Sequence, residues 1–185
     1  MCGRYWMAPE ENEGFETLEE KAAAAGIPLK TAGEIFPADT VPVICSNRLL
    51  LPRPFAMTWG YSLNGKRVIN ARSETAAQRP LFAEGMKEHR CLIPAAHYFE
   101  WERGTKTKYA IRPAEPFRMA GLYRPEAGGY VFTVLTRAPG EGIAFIHDRM
   151  PVLLPEDVAK DWLNPKYRAE ELLAHALTEV TFAPT

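Results

Sequence analysis

The stretch CLIPAAHYFEW, residues 91–101, decides the fold. It holds two short runs, 91–93 and 98–101, rich in β-branched and aromatic residues and separated at Pro94. Three more runs of the same kind follow at 109–112, 119–123 and 130–136, each bounded by Gly or Pro, as strands are. Upstream, residues 41–61 carry short apolar runs punctuated by Pro42, Pro52 and Pro54, which suits strands or strand edges better than helix. Helices are expected around this strand-rich centre. Residues 17–25 carry a capping-box pattern, Thr17 with Glu20, and Gly26 as a stop. Residues 73–78 and 81–89 also read as helical. Two helices are expected to close the chain, one from near Pro155 to 163, the other from an Asn164 N-cap with Pro165 at its first position to about 177. Many short strands with helices outside them imply an α+β fold, a mostly antiparallel, barrel-like β-sheet with peripheral helices.

The bulk composition agrees with one globular domain over residues 1–185. Of these residues 46% are hydrophobic and 24% charged, which is neither disordered nor membrane-like. No apolar run approaches membrane-spanning length, and MCGRYWMAPEENEG at the start has no basic and then apolar signal pattern. A cytoplasmic location is the expectation. Three scattered cysteines, Cys2, Cys45 and Cys91, form no CxxC pair, so neither a disulfide framework nor a zinc site is expected. The net charge of −1 leaves nucleic-acid binding to a local basic cleft.

Cys2 is the first residue to weigh. Removal of the initiator Met leaves a terminal Cys, whose α-amine and thiol sit on adjacent carbons. Unperturbed, they titrate near ~8 and ~8.5, so both are partly reactive at neutral pH. Such a group condenses with an aldehyde through a Schiff base, and the thiol then closes a thiazolidine ring. By itself a Cys at position 2 is more often an incidental small residue. Beside it, Gly3 permits close backbone approach and Arg4 offers a bidentate phosphate grip. VINARSET, residues 68–75, sets Asn70 and Arg72 between an apolar strand and a helix, where a plain helix start is the alternative. HYFEW, residues 97–101, places Glu100 among aromatics, either at a wet edge or as a desolvated acid. HDRMP, residues 147–151, supplies His147, which by itself reads first as structural.

Taken in order, MCGRY, WGY, INARSETA, HYFEW and HDRMPVLL resemble the SOS-response-associated peptidase family, whose members are abasic-site processing proteins that cross-link to DNA. The matching motifs run from residue 1 to about 154. The resemblance implies that Cys2 is the nucleophile that forms a thiazolidine with the ring-opened abasic sugar, after self-removal of Met1. It implies that Asn70 lies against Cys2, that Glu100 moves protons in both reactions, and that His147 assists sugar ring opening. Arg4, Arg72, Arg79 and Arg149 match phosphate-gripping positions, and Thr136 a backbone-contacting hydroxyl. Trp59, in the WG motif, is a base-stacking or a core residue. Neither metal nor organic cofactor is implied, and the expected partner is single-stranded DNA containing abasic sites, with no membrane and no obligate protein partner.

Three stretches depart from the family pattern: EIFPADT at 34–40, the short SLNGK at 62–66, and an abbreviated tail after 180–182. They bear on which DNA structure is preferred, not on the catalytic set. Two other readings stand beside this one. A cysteine peptidase acting on other proteins would use Cys2 with His147 as a dyad. A noncatalytic single-strand-binding module would use only the Arg and aromatic residues.

Overall fold

A computed structural model describes residues 2–8 and 14–185. Its centre is a closed ring of five strands: β3 (Thr40–Ser46), β4 (Pro52–Trp59), β8 (Arg90–Ile93), β11 (Phe117–Glu126) and β12 (Gly129–Arg137). Around the ring the order is β12-β4-β3-β8-β11 and back to β12, every pairing antiparallel except β12 with β4. Closure leaves the ring no open edge. Three short strands extend it: β7 (Asn70–Arg72), parallel to β12, β13 (Met150–Pro151) and β14 (Leu153–Pro155). A second sheet has the order β15-β10-β9-β1-β2, from β1 (Tyr5–Met7), β2 (Gly33–Ile35), β9 (His97–Trp101), β10 (Lys108–Arg112) and β15 (Thr181–Pro184). A small hairpin, β5 (Tyr61–Leu63) with β6 (Lys66–Val68), completes the strands. The expected α+β, mostly antiparallel barrel is the observed architecture.

Alternation along each ring strand separates two cores. On β8, Cys91 and Ile93 point into the ring while Leu92 points out. On β12, Phe132 and Val134 point in while Val131 and Leu135 point out. The inner core continues to one face of the second sheet, through Tyr5, Tyr98 and Ile111. The outer core is covered by helices α2 (Ser73–Ala76), α3 (Pro80–Glu88), α4 (Glu156–Trp162) and α5 (Ala169–Leu173). Trp162 is fully buried there and donates its indole N–H to Cys91 O at 3.0 Å. Inside the ring the space is tight at Gly121, where a Cβ would stand 2.5 Å from Ile93 Cδ1 and 2.8 Å from Thr133 O.

Two helix expectations need correction. The first helix, α1 (Phe15–Ala24), starts before Thr17, and left-handed Gly14 (φ 87°) stands at its N-cap with no side-chain cap bond. Burial of Phe15 (4% exposed) outweighs the local capping pattern. At the other end, Asn164 does not open a long helix. Its carbonyl and that of Tyr167 accept from Arg90 at 2.7 and 3.1 Å, so residues 164–167 form a turn, and α5 runs only over five residues. Leu177 bridges to Leu153 instead of ending a helix, and the chain then returns as β15.

Candidate functional site

The site forms where the second sheet meets the ring. Cys2 precedes β1 and is fully buried. Asn70, at the start of β7, donates from Nδ2 to Cys2 O at 2.8 Å. That strand is held by Trp59, whose Nε1 donates to Ile69 O at 3.0 Å, and by its parallel pairing with β12. Glu100 reaches inward from β9 and is 6% exposed. His147, beyond a 3-10 turn at Glu141–Ile143, brings Nε2 to 4.0 Å from Glu100 Oε1. The four catalytic candidates, 2, 70, 100 and 147 in the chain, thus converge from four separate segments.

The electrostatics suit a neutral nucleophile. Burial, with the Glu100 carboxylate adding to it, pushes the Cys2 thiol up to about 12 from 9.0. Its Sγ lies 3.9 Å from Arg4 O. At neutral pH the thiol therefore keeps its proton until a base removes it. His147 is oriented by its other nitrogen: the backbone N–H of Arg149 donates to Nδ1 at 3.0 Å, and Asp148 Oδ1 lies 2.9 Å from the same atom. These two contacts at Nδ1 fix the ring plane and leave Nε2 directed toward Glu100.

Sequence reading missed two phenols. Tyr5 and Tyr98 are buried, and neither hydroxyl has a hydrogen-bond partner among the described residues. Burial raises both, a thiolate at Cys2 would raise both further, and the Glu100 carboxylate adds to the rise at Tyr98. Asn70 Oδ1 is likewise buried and unpartnered. Unpaired buried polar atoms are rare and ask for an explanation. Strict alternation in HYFEW was the available signal for Tyr98, since it places residues 98 and 100 on one face.

The binding candidates divide. Arg4 is one-third exposed, its guanidinium 4.4 Å from the Phe36 ring and 4.9 Å from the Trp101 ring, and 3.4 Å from Glu34 Oε1. Arg72 and Arg79 are exposed beside α2 and α3. Arg149 is tied down: it grips Glu74 bidentately at 2.8 Å per bond and donates to Thr136 O at 2.6 Å. Thr136 is fully buried, its hydroxyl donating to Ala71 O and accepting from Arg149 Nη2, each at 3.4 Å, so in this structure it braces the strand beside Asn70. Trp59 needs correction. It is fully buried against Tyr5 and Phe132, with no face open to a base. The following Gly60 takes φ 108°, which accounts for the WG pair without any ligand. Met1 lies outside the described residues. Among those described, no three His, Cys, Asp or Glu side chains converge as metal ligands, and no helix is long and apolar enough to cross a membrane.

Known proteins share this fold. The chain superposes on a Bacteroides thetaiotaomicron protein with a TM-score of 0.77 at 20% identity, covering 99% of this chain and 91% of that one. A phage-related protein of Bordetella bronchiseptica gives 0.77 at 26% identity, covering 100% and 94%. In sequence, the abasic site processing protein YoqW of Bacillus subtilis is 36% identical over 143 residues, 65% of this chain and 64% of the relative. The abasic site processing protein YedK of Escherichia coli is 31% identical over 126 residues, 61% and 56%. The matches therefore span less than two thirds of these relatives' length. Residues 1–183 match the family described as SOS response associated peptidase (SRAP). The chain belongs to that SOS response associated peptidase family.

Proposed function

We propose that this protein processes abasic sites in single-stranded DNA by forming a covalent thiazolidine between Cys2 and the opened sugar, after removing its own Met1. The relatives' names support abasic-site processing. One observation carries the chemistry: Asn70 holds the Cys2 backbone at 2.8 Å, Cys2 and Glu100 are both buried, and Asn70 Oδ1 and the Tyr98 hydroxyl have no partner among the described residues. A polar sugar satisfies such atoms, whereas an apolar ligand leaves them costly.

While Met1 is attached, the Cys2 nitrogen is an amide and cannot form an imine. Hydrolysis of the Met1–Cys2 bond releases the amine. As the cyclic hemiacetal opens to the aldehyde, His147 as an imidazolium gives its Nε2 proton to the sugar ring oxygen, and the Glu100 carboxylate takes the proton of the anomeric hydroxyl. The amine adds to the aldehyde carbon, and Glu100 delivers a proton as the carbinolamine loses water. The thiol then adds to the iminium carbon and passes its proton to Glu100, closing the ring. The sum is amine, thiol and aldehyde giving a thiazolidine and one water. One carboxyl serves as acid and then base. Half-buried Arg4 and exposed Arg72 and Arg79 supply salt-sensitive affinity for the strand. A peptidase dyad fits less well: it needs an activated thiolate, whereas this thiol is pushed upward and His147 faces Glu100.

Intact-mass analysis with an oligonucleotide bearing one abasic site tests this reading. The expected product is the chain without Met1 plus the DNA minus one water, surviving denaturation. Cys2→Ala should abolish it. A denaturation-resistant adduct at wild-type yield on Cys2→Ala would end the thiazolidine mechanism.

A further inference from the structure

The second sheet has an outer face that the chemistry leaves unused. Alternation sends Tyr98 and Glu100 inward from β9 and puts His97, Phe99 and Trp101 on the other side. Cross-strand partners lie on the same side of a sheet, so Trp6, opposite His97, and Lys108, opposite Trp101, share this face. The side chains form an unbroken row. Arg4 bridges the Phe36 and Trp101 rings. Lys108 lies 5.7 Å from the Trp101 ring and 3.8 Å from that of Phe99. The Phe99 ring meets His97 edge-on at 4.9 Å, and His97 lies nearly parallel to Trp6 (9°) at 6.0 Å.

We propose that this face is a base-stacking track for the single strand on one side of the abasic nucleotide, with the Trp6–His97 pair as its outer platform. The inference rests on the reading that the strand enters at Cys2. Only Gly3 separates Cys2 from Arg4, and Trp6 is at most about 14 Å of chain from Cys2. The track is thus continuous with the reaction site. Its chemistry matches an unpaired strand, since aromatic faces take bases of any sequence and interleaved cations follow the phosphates. Trp6 is 40% exposed although it is a large aromatic. Burial and the neighbouring charges of Arg112 and Lys108 lower His97, so at neutral pH it is an uncharged ring suited to stacking. Arg112 is exposed on the same face, next to a cavity of about 350 Å³ lined by His97, Ala110, Thr181 and Ala183. It makes no ion pair among the described residues and is placed to meet a phosphate beyond the platform.

The test uses oligonucleotides with a tetrahydrofuran abasic analogue, which cannot open to an aldehyde, so binding is read without cross-linking. Unpaired flanks are lengthened on the 5′ side and on the 3′ side separately, up to about eight nucleotides, within the ~4–16 that such sites cover. Wild type should gain about tenfold or more in affinity when the flank on one side reaches Trp6. Trp6→Ala should lose most of that gain, Trp6→Phe should keep most of it, and Trp6→Lys should not restore it although it adds a cation. Thermal unfolding shows whether each variant is folded. As a variant-free readout, a photoreactive halogenated uracil in the same flank should cross-link to Trp6 or His97, located by peptide mass. A flank gain unchanged in folded Trp6→Ala, or photo-cross-links confined to other residues, overturns the track. If natural abasic DNA yields no adduct while the flank gain still depends on Trp6, the cross-linking reading falls and the track stands.

Discussion

Strand β9 carries two different surfaces on one five-residue segment. Its inward residues, Tyr98 and Glu100, are buried next to Cys2. Its outward residues, His97 and Trp101, are half-buried on a face lined with cations, and Phe99 lies under Lys108. The inner face is buried, with few polar atoms. The outer face carries charges at about a quarter to a third exposure, paired with aromatics and with one another. Proton transfer needs the first environment, because a group must be held at one distance from one atom. Binding a mobile, charged strand needs the second. Period-two alternation lets one strand serve both, so the face on which a substitution falls should decide whether rate or affinity changes.

The largest effect should come from the inner face. Glu100→Gln keeps the shape and removes the acid-base, and should slow both Met1 removal and cross-linking by ~10²–10⁴-fold, read by intact mass over time. His147→Ala should slow cross-linking to abasic DNA while Met1 removal proceeds. With a simple open-chain aldehyde, which needs no ring opening, His147→Ala should react nearly as wild type and Glu100→Gln should stay slow. Equal impairment of His147→Ala on both substrates would remove it from ring opening and leave it as a partner that orients Glu100.

The thiol gives the next measure of how dry the inner face is. In the chain that retains Met1, a Cys2 thiol at about 12 rather than 9.0 has about a thousandfold less thiolate at neutral pH than an unperturbed one. Alkylation of Cys2 by iodoacetamide, followed by peptide mass, should therefore be slower by that order and should rise about tenfold per pH unit through the alkaline range. Rapid labelling at pH 7 would show that the pocket is wet.

The strand-rich centre was legible because short apolar runs between Pro and Gly have few other structures open to them. Residues 130–136 and 98–101 lie within strands at the expected places. The helix ends were less legible, since Arg90 takes the carbonyls that a helix from Asn164 would have used, and that contact joins residues 74 positions apart. Five motifs pointed to the site, and residues 2, 70, 100 and 147 do meet. Thr136 and Trp59 look like ligands in a motif because they are fixed by the same packing that positions the site: one caps Ala71 O, the other Ile69 O, on either side of Asn70. The outer track escaped sequence reading because it is assembled across β1, β9 and β10, and cross-strand register cannot be read from one strand.

The smallest effect, and the sharpest test of the outer face, concerns Glu34. Its carboxylate sits among the cations of the track, 2.8 Å from Lys108 Nζ and 3.4 Å from Arg4 Nη1. The Lys108 hydrogen bond, together with the charges of Lys108 and Arg4, holds it below its ordinary 4.5. A carboxyl lowered on folding stabilises the fold at pH values above 4.5, and that contribution fades as pH falls through the lowered value. The groups are partly exposed, so solvent screens them and the pairs contribute on the order of 0.2–1 kcal/mol each. Glu34→Gln should therefore lower stability slightly at pH 7, by denaturant titration, with the difference from wild type shrinking toward acid pH. Binding should move the other way. A phosphate must displace this carboxylate to reach Lys108 and Arg4, so Glu34→Gln should bind single strands a few-fold more tightly and steepen the salt dependence, by about 0.7 in log–log slope for each further phosphate neutralised. Cross-linking rate at saturating DNA should hold near wild type, because Glu34 does not face the pocket. A variant that lost stability without gaining affinity would mean that Lys108 and Arg4 brace the sheet, and that the outer face of β9 does not meet the strand there.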